Sequence, residues 1–322
     1  MRESARTAQE AGKLLGPPEP PSRGPAPAAP PQREVVLERA KAAARTVTLE
    51  ELVELGAELG LRDRLDDLRE LARPSARMTS PTLDDHPAGD WLFEPSAGLL
   101  EEDDRPLWQG ERLALVAQLD LDDPALRDVD LPLPRDGRLA FLYAALQAPS
   151  GELASHAGAG RVLHLPAPSG PAPSARLSVE LTLPRVWSAP VQRLKLDPIE
   201  HDAYLTLRRR LATLQDVELE DGFGEPIAYH RVLGYPNETT GLMPTICELA
   251  SGGEDATDLD AADDDLGRRA ARWRLLAQLS ADASGPWTLG GSGGRLYFWV
   301  DEDDLRHADF SRVWAIAQPQ AA

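Results

Sequence analysis

The chain has 322 residues and a mass of 35.0 kDa, a length that suits about two domains or one large one. Its 34 Lys and Arg face 53 Asp and Glu, a net charge of −19 that excludes a general nucleic-acid binder and poorly matches an anionic membrane surface. Apolar residues make up 42%, enough for a core, while the single cysteine, Cys247, excludes an internal disulfide framework and a multi-Cys zinc site.

Met1 to Leu15 has no apolar core of signal-peptide length. The longest apolar run, Leu139 to Leu146, is far short of the ~20 residues that span a bilayer. A soluble cytoplasmic protein with no membrane contact is expected, and no motif calls for a cofactor. Residues 1–32 read as a disordered tail rich in Pro and Ala. Between Gly16 and Gln32, eight of seventeen residues are proline, which lacks a backbone donor and fixes φ.

Residues 33–75 read as a helical N-terminal segment. Thr48-Leu49-Glu50-Glu51 has the form of a capping box, followed by an apolar stripe of Leu52, Leu55 and Leu59. Gly56 weakens this helix and Gly60 ends it. A second stripe, Leu61, Leu65, Leu68 and Ala72, starts in a new register and closes at Pro74.

Residues 76–322 form the body, and the pattern changes there to short apolar runs between Gly, Pro and Asp. Strands are expected at Leu113–Leu119, Leu139–Leu146, Val162–Leu165, Leu177–Leu183, Ala228–Leu233, Trp273–Leu279, Leu296–Val300 and Val313–Ala317. One helix interrupts them. Asp197 is its N-cap, Pro198 and Glu200 occupy its first and third positions, and Tyr204, Leu207, Leu211 and Leu214 form its stripe. The fold class is therefore α+β, with mostly antiparallel sheets and a few packed helices.

Two stretches nearly repeat. Leu115-Val116-Ala117-Gln118-Leu119-Asp120 corresponds to Leu275-Leu276-Ala277-Gln278-Leu279-Ser280, and Gly137-Arg138-Leu139-Ala140-Phe141 to Gly294-Arg295-Leu296-Tyr297-Phe298. An internal duplication of a strand–loop–strand unit follows. Each glutamine sits between apolar neighbours. A buried amide left unpaired costs roughly 1–3 kcal/mol, yet it can serve irregular backbone with both donor and acceptor.

These blocks resemble the YwqG-like family, a bacterial group carrying a domain of unknown function. The matching residues are Ala117-Gln118-Leu119-Asp120, Leu133-Pro134, Gly137 to Phe141, His230 to Pro236 with its Gly234-Tyr235-Pro236 turn, Trp273 to Leu279, Gly294 to Phe298, and Asp309 to Trp314. The resemblance covers roughly Trp91 to Gln318. It implies an α+β fold with internal duplication and no established activity. Some members lie beside secreted-toxin systems, which implies an immunity or partner-binding role.

Few residues carry chemistry. Cys247 lies beside Glu248, which would raise its thiol pKa, so a buried inert thiol is expected. Glu254 to Asp265 holds seven acids but lacks the glycine and glutamate of a calcium loop. Gly290 to Gly294 leads into a strand, as in a hairpin. No catalytic or metal site is assigned, and oligomeric state is not readable. The leading expectation is a non-enzymatic binding protein whose partner is a protein with a basic surface. The alternative is a small-molecule-binding or hydrolytic domain with a cleft between the repeats, lined by His230, Arg231, Tyr235, Gln118 and Gln278. Because neighbouring strand residues point to opposite faces, His230 is expected inward and Arg231 solvated.

Overall fold

A computed structural model describes residues 46–79, 100, 102–127, 131–166, 176–215, 230–237, 242–257, 259, 264–281, 289 and 294–319. The tail 1–32, the start of the helical segment, Asp258, Asp260 and Asp263 of the acidic run, and residues 290–293 lie outside the described residues.

Helix α1 (Leu49–Glu58) starts at the expected capping box. Thr48 Oγ1 accepts from the Glu51 N–H at 3.2 Å, and the Glu51 carboxylate accepts from the Thr48 N–H at 2.9 Å. Gly56 has a packing purpose: a Cβ there would lie 2.4 Å from Leu68 of α2 (Leu65–Leu71). Its small size therefore lets the two helices approach. Both pack on α5 (Pro198–Leu214), so that Leu52, Leu68, Tyr204, Leu207 and Leu211 share one cluster. The α5 N-terminus has the expected Asp197–Glu200 box. Between α2 and α5 lie the short α3 (Pro124–Arg127) and α4 (Ala189–Gln192).

The segment that closes at Pro74 by sequence instead enters a strand, β1 (Arg73–Thr79). Proline is tolerated at its second residue because pairing with the neighbour β8 (His230–Leu233) begins only at Ser75. On its other side β1 pairs with β7 (Arg176–Thr182). Thus β1 lies inside a six-stranded antiparallel sheet, ordered β11-β10-β9-β8-β1-β7. The remaining members are β9 (Trp273–Ala281), β10 (Gly294–Asp301) and β11 (Trp314–Pro319). A second sheet holds β4 (Ala114–Asp120), β5 (Arg138–Tyr143) and β6 (Gly160–Leu165), and β2 (Leu107–Trp108) pairs with β3 (Glu111–Arg112).

The two larger sheets share the main core. Val116, Ala117, Leu119 and Phe141 meet Leu276, Ala277, Leu279 and Phe298, and the Phe141 and Phe298 rings meet edge-on at 5.2 Å. The pairing explains why apolar residues run consecutively before each glutamine. Ala117 pairs with Phe141 and Leu115 with Leu142, leaving Val116 as a bulge. Ala277 pairs with Phe298 and Leu275 with Trp299, leaving Leu276 as a bulge. Each bulge turns two successive side chains into the shared core and resets the alternation.

Helices cover the outer face of the six-stranded sheet. The helices α1, α2 and α5 pack at its β7 end. Helix α6 (Met243–Ser251) packs on Trp273, Leu275, Tyr297 and Trp314 at the other end. Helix α7 (Asp264–Ala270) precedes β9, and α8 (Glu302–Arg306) follows β10. No helix of the described residues is long and apolar enough to cross a membrane.

The loop before β6 is stitched to the edge strand β11. Trp314 Nε1 donates to Gly151 O at 2.8 Å, and the Ala317 N–H donates to Ser150 O at 3.1 Å. Gly151 has φ +88°, and a Cβ there would lie 2.3 Å from Ala315 O. Gly151→Ala is expected to cost roughly 2 kcal/mol or more by strain and overlap combined. Urea denaturation measures this; unchanged stability would mean that the loop can withdraw from β11 freely.

Candidate functional site

Cross-strand register assembles the polar centre of the molecule. Arg77 lies opposite Arg231, Arg231 opposite Gln278, and Gln278 opposite Tyr297. Directly opposite residues share a face, so this row runs across β1, β8, β9 and β10 on the helix-covered side. Glu180 of β7 completes it, with Oε1 2.6 Å from Arg231 Nη2 and Oε2 3.9 Å from Arg77. The Arg231 and Glu180 side chains are only 6% and 3% exposed.

The Gly234-Tyr235-Pro236 turn folds over this row. Gly234, with φ +71°, lies so close to β1 and β7 that a Cβ would approach Ser75 and Thr182 to 2.7 Å. Arg231 Nη1 donates to Tyr235 O, and the Tyr235 N–H donates to Thr182 Oγ1 at 3.1 Å. Asn237 then becomes a hub. Its N–H donates to Gln278 Oε1 at 2.6 Å, Tyr297 Oη and Arg295 Nη1 each donate to its O at 3.3 Å, and Arg185 Nη2 donates to its Oδ1 at 2.8 Å.

Arg231, Tyr235 and Gln278 are therefore brought together. His230 and Gln118 are not. His230 lies opposite Met78 on the face toward the shared core, where its Nδ1 accepts from the Ser280 N–H at 3.1 Å. Burial lowers its pKa to about 4, so the ring is neutral at pH 7. Arg231, expected to be solvated, lies inside instead, because Glu180 and the Tyr235 carbonyl satisfy its charge. Gln118 lies opposite Ala140 on the outer face of the three-stranded sheet and accepts from Arg138 Nη1 at 3.3 Å. The two glutamines occupy the same register position, but each faces away from the shared core. They do not line one space between the sheets.

Gln215, which follows α5, serves backbone with both its donor and its acceptor. Its Oε1 accepts from the Leu181 N–H at 2.7 Å and its Nε2 donates to Leu181 O at 2.9 Å. It thereby occupies both main-chain groups of that β7 residue.

Beyond the turn lies a cavity of about 110 Å³. Its floor is Trp273, Leu275 and Trp299 of β9 and β10. The walls come from α4, α6 and α7, together with Tyr235 and Pro236. Three arginines border it: Arg73 from β1, Arg193 after α4 and Arg274 from β9. The Arg73 guanidinium lies over the Tyr235 ring, 4.4 Å from its centroid. Arg193 Nη2 donates to Gly267 O at 3.2 Å, and Arg274 pairs with Glu302. Burial and then the neighbouring Arg73 charge lower the Arg274 pKa. Trp299 is 3% exposed, and its Nε1 has no hydrogen-bond partner among the described residues; the same holds for Ser188 Oγ.

Of the site residues expected from the sequence, Tyr235 alone is among the described residues that line this cavity. Arg274 adjoins the repeated block, so a basic residue beside Trp273 was a visible signal. Arg73 and Arg193 carry none: Arg73 precedes a proline that reads as a helix stop, and Arg193 follows a four-residue helix. Cys247 is fully buried on α6 among Met243, Ile246 and Trp273, as an inert thiol would be. Of the Arg208-Arg209-Arg210 triplet, Arg209 and Arg210 are exposed. Among the described residues no group of three or more His, Cys, Asp or Glu could hold a metal ion.

Residues 97–318, more than half of the chain, match the family described as Domain of unknown function (DUF1963), and the chain belongs to that family. No curated protein matches the chain. The matched span begins after β1, so the strand that supplies Arg73 to the cavity, paired on both sides within the sheet, lies outside it.

Proposed function

We propose that this DUF1963 protein is a non-enzymatic binding protein, and that its ligand is a small molecule held in the cavity floored by Trp273, Leu275 and Trp299. The observation that carries this reading is the composition of the walls. They combine two indoles, a phenol ring, Pro190, Pro236 and Pro244 with a few convergent donors, the usual make-up of a small-molecule pocket. Among the described residues no Asp, Glu, His, Cys or Lys lines it, so none of those side chains offers proton transfer near neutral pH. Within the family we assign the chain to the YwqG-like group, on its two Ala-Gln-Leu blocks and its Gly234-Tyr235-Pro236 turn.

The test is native mass spectrometry of protein purified without denaturation. Retention of a molecule is expected, with its loss in Ala271→Trp, which fills the cavity from an exposed rim position. A protein that carries nothing, and whose tryptophan fluorescence responds to no added aromatic compound, would rule the reading out.

We also propose that β4–β6 and β9–β11 descend from one duplicated unit. The shared register and the bulge two residues before each glutamine support it. Unrelated backbone paths on superposing Leu113–Tyr143 on Trp273–Val300 would count against it. A protein with a basic surface remains a second proposal, supported by the net charge of −19. Stoichiometric capture of a basic protein from native lysate is its test.

A further inference from the structure

We infer that the ligand of this cavity is an anion: a carboxylate or phosphate group carried on an apolar body. The inference rests on the binding role proposed above and narrows it to a chemical class. Three independent features point the same way.

The first is unbalanced charge. In a chain with net charge −19, the cavity is bordered, among the described residues, by three arginines and no carboxylate. Arg274 has Glu302 as partner, but among the described residues neither Arg73 nor Arg193 pairs with an acid. Arg73 and Arg274 are near enough that the charge of the first depresses the pKa of the second. A bound anion relieves that repulsion, and two planar guanidiniums suit the oxygens of a carboxylate or phosphate.

The second feature is the set of unused donors. Trp299 Nε1 and Ser188 Oγ are buried and unpartnered among the described residues, and both residues line the cavity. An indole N–H can only donate, so it asks for an acceptor. Nearly all buried polar groups in folded proteins find a partner, and a ligand oxygen meets the requirement at this position.

The third is the start of α6. Pro244 and Thr245 of its first turn line the cavity, its N-cap is Leu242 with no side-chain hydrogen bond, and its first turn holds no acidic residue. Among the described residues, the positive end of the helix is therefore left without a capping carboxylate beside the same space. The apolar body follows from the floor, where Trp273 and Trp299 contribute indole surface and Leu275 an aliphatic surface.

The test uses four probes on the full chain: phenylacetate, phenylacetamide, phenyl phosphate and inorganic phosphate. Binding is read by tryptophan fluorescence and by titration calorimetry. Phenylacetate or phenyl phosphate is expected to bind at least tenfold more tightly than phenylacetamide, and the order of these two anions distinguishes a carboxylate site from a phosphate site. Arg193→Met removes an exposed cation without touching the core, and should weaken the anions about fivefold while leaving phenylacetamide unchanged. Equal binding of phenylacetamide and phenylacetate would overturn the anion class and leave the binding role standing. Inorganic phosphate binding as tightly as phenyl phosphate would overturn the apolar body. No response to any probe, together with no retained molecule in the native mass spectrum, would remove the binding role itself.

Discussion

Arg231→Met is expected to lower unfolding stability by about 3 kcal/mol, at the low end of the ~3–5 kcal/mol seen when one member of a buried ion pair is removed. The substitution leaves Glu180, with a side chain 3% exposed, without its partner at 2.6 Å. Arg77 at 3.9 Å supplies part of the lost attraction, which sets the low end of the range. The Tyr235 carbonyl also loses its donor, so the Gly234-Tyr235-Pro236 turn loosens over the sheet. The double variant Arg231→Met with Glu180→Leu should recover most of the loss, because apolar side chains of similar volume often replace a buried pair at little cost. Urea denaturation of the single and double variants measures both. If the single variant loses less than about 1 kcal/mol, or the double variant is the less stable, the pair does not hold the turn as described.

The elements that were legible each carried a local signal. The Leu-Val-Ala-Gln-Leu and Leu-Leu-Ala-Gln-Leu blocks announced β4 and β9, and Asp197-Pro198-Ile199-Glu200 announced α5. Two kinds of element were hidden. Helix α6 follows a stretch without a polar N-cap, and Met243-Pro244-Thr245 gives no capping signal to read. Strand β1 begins at Arg73-Pro74, where proline after a leucine stripe reads as a helix stop, and only tertiary pairing on both sides makes it a strand. The same gap hid half of the candidate site. Arg231, Tyr235 and Gln278 were visible because they sit in or beside strong blocks. Arg73 joins Tyr235 across the sheet and Arg193 arrives from a four-residue helix, associations that no spacing in the chain encodes. The face of each glutamine was also beyond local reading. A bulge at Val116 and another at Leu276 shift the alternation, and an alternation count that omits them sends the amide to the wrong side.

Stability should fall as pH drops from about 6.5 toward 4, by up to about 3 kcal/mol from His230 alone, at ~1.4 kcal/mol for each pH unit of pKa difference. Burial lowers the pKa of this ring from 6.5 to about 4 in the folded protein. Between those values the unfolded chain takes up a proton that the folded chain does not, so acid favours unfolding. The contribution is absent above the unfolded pKa, grows through the window, and levels off below the folded pKa, where both states are protonated. The neutral ring also has a structural task, since its Nδ1 accepts from the Ser280 N–H. His230→Asn keeps an acceptor near that position and removes the titration. At pH 7 the variant should lie within about 1 kcal/mol of the native chain, one hydrogen bond being of that order. Near pH 4.5 it should be the more stable of the two. His156 shifts in the same direction through burial, but it is common to both proteins, so the difference between their curves isolates His230. Parallel curves from pH 7 to 4 would show that the His230 ring protonates freely in the folded state, and that the face of β8 toward the shared core is open to water.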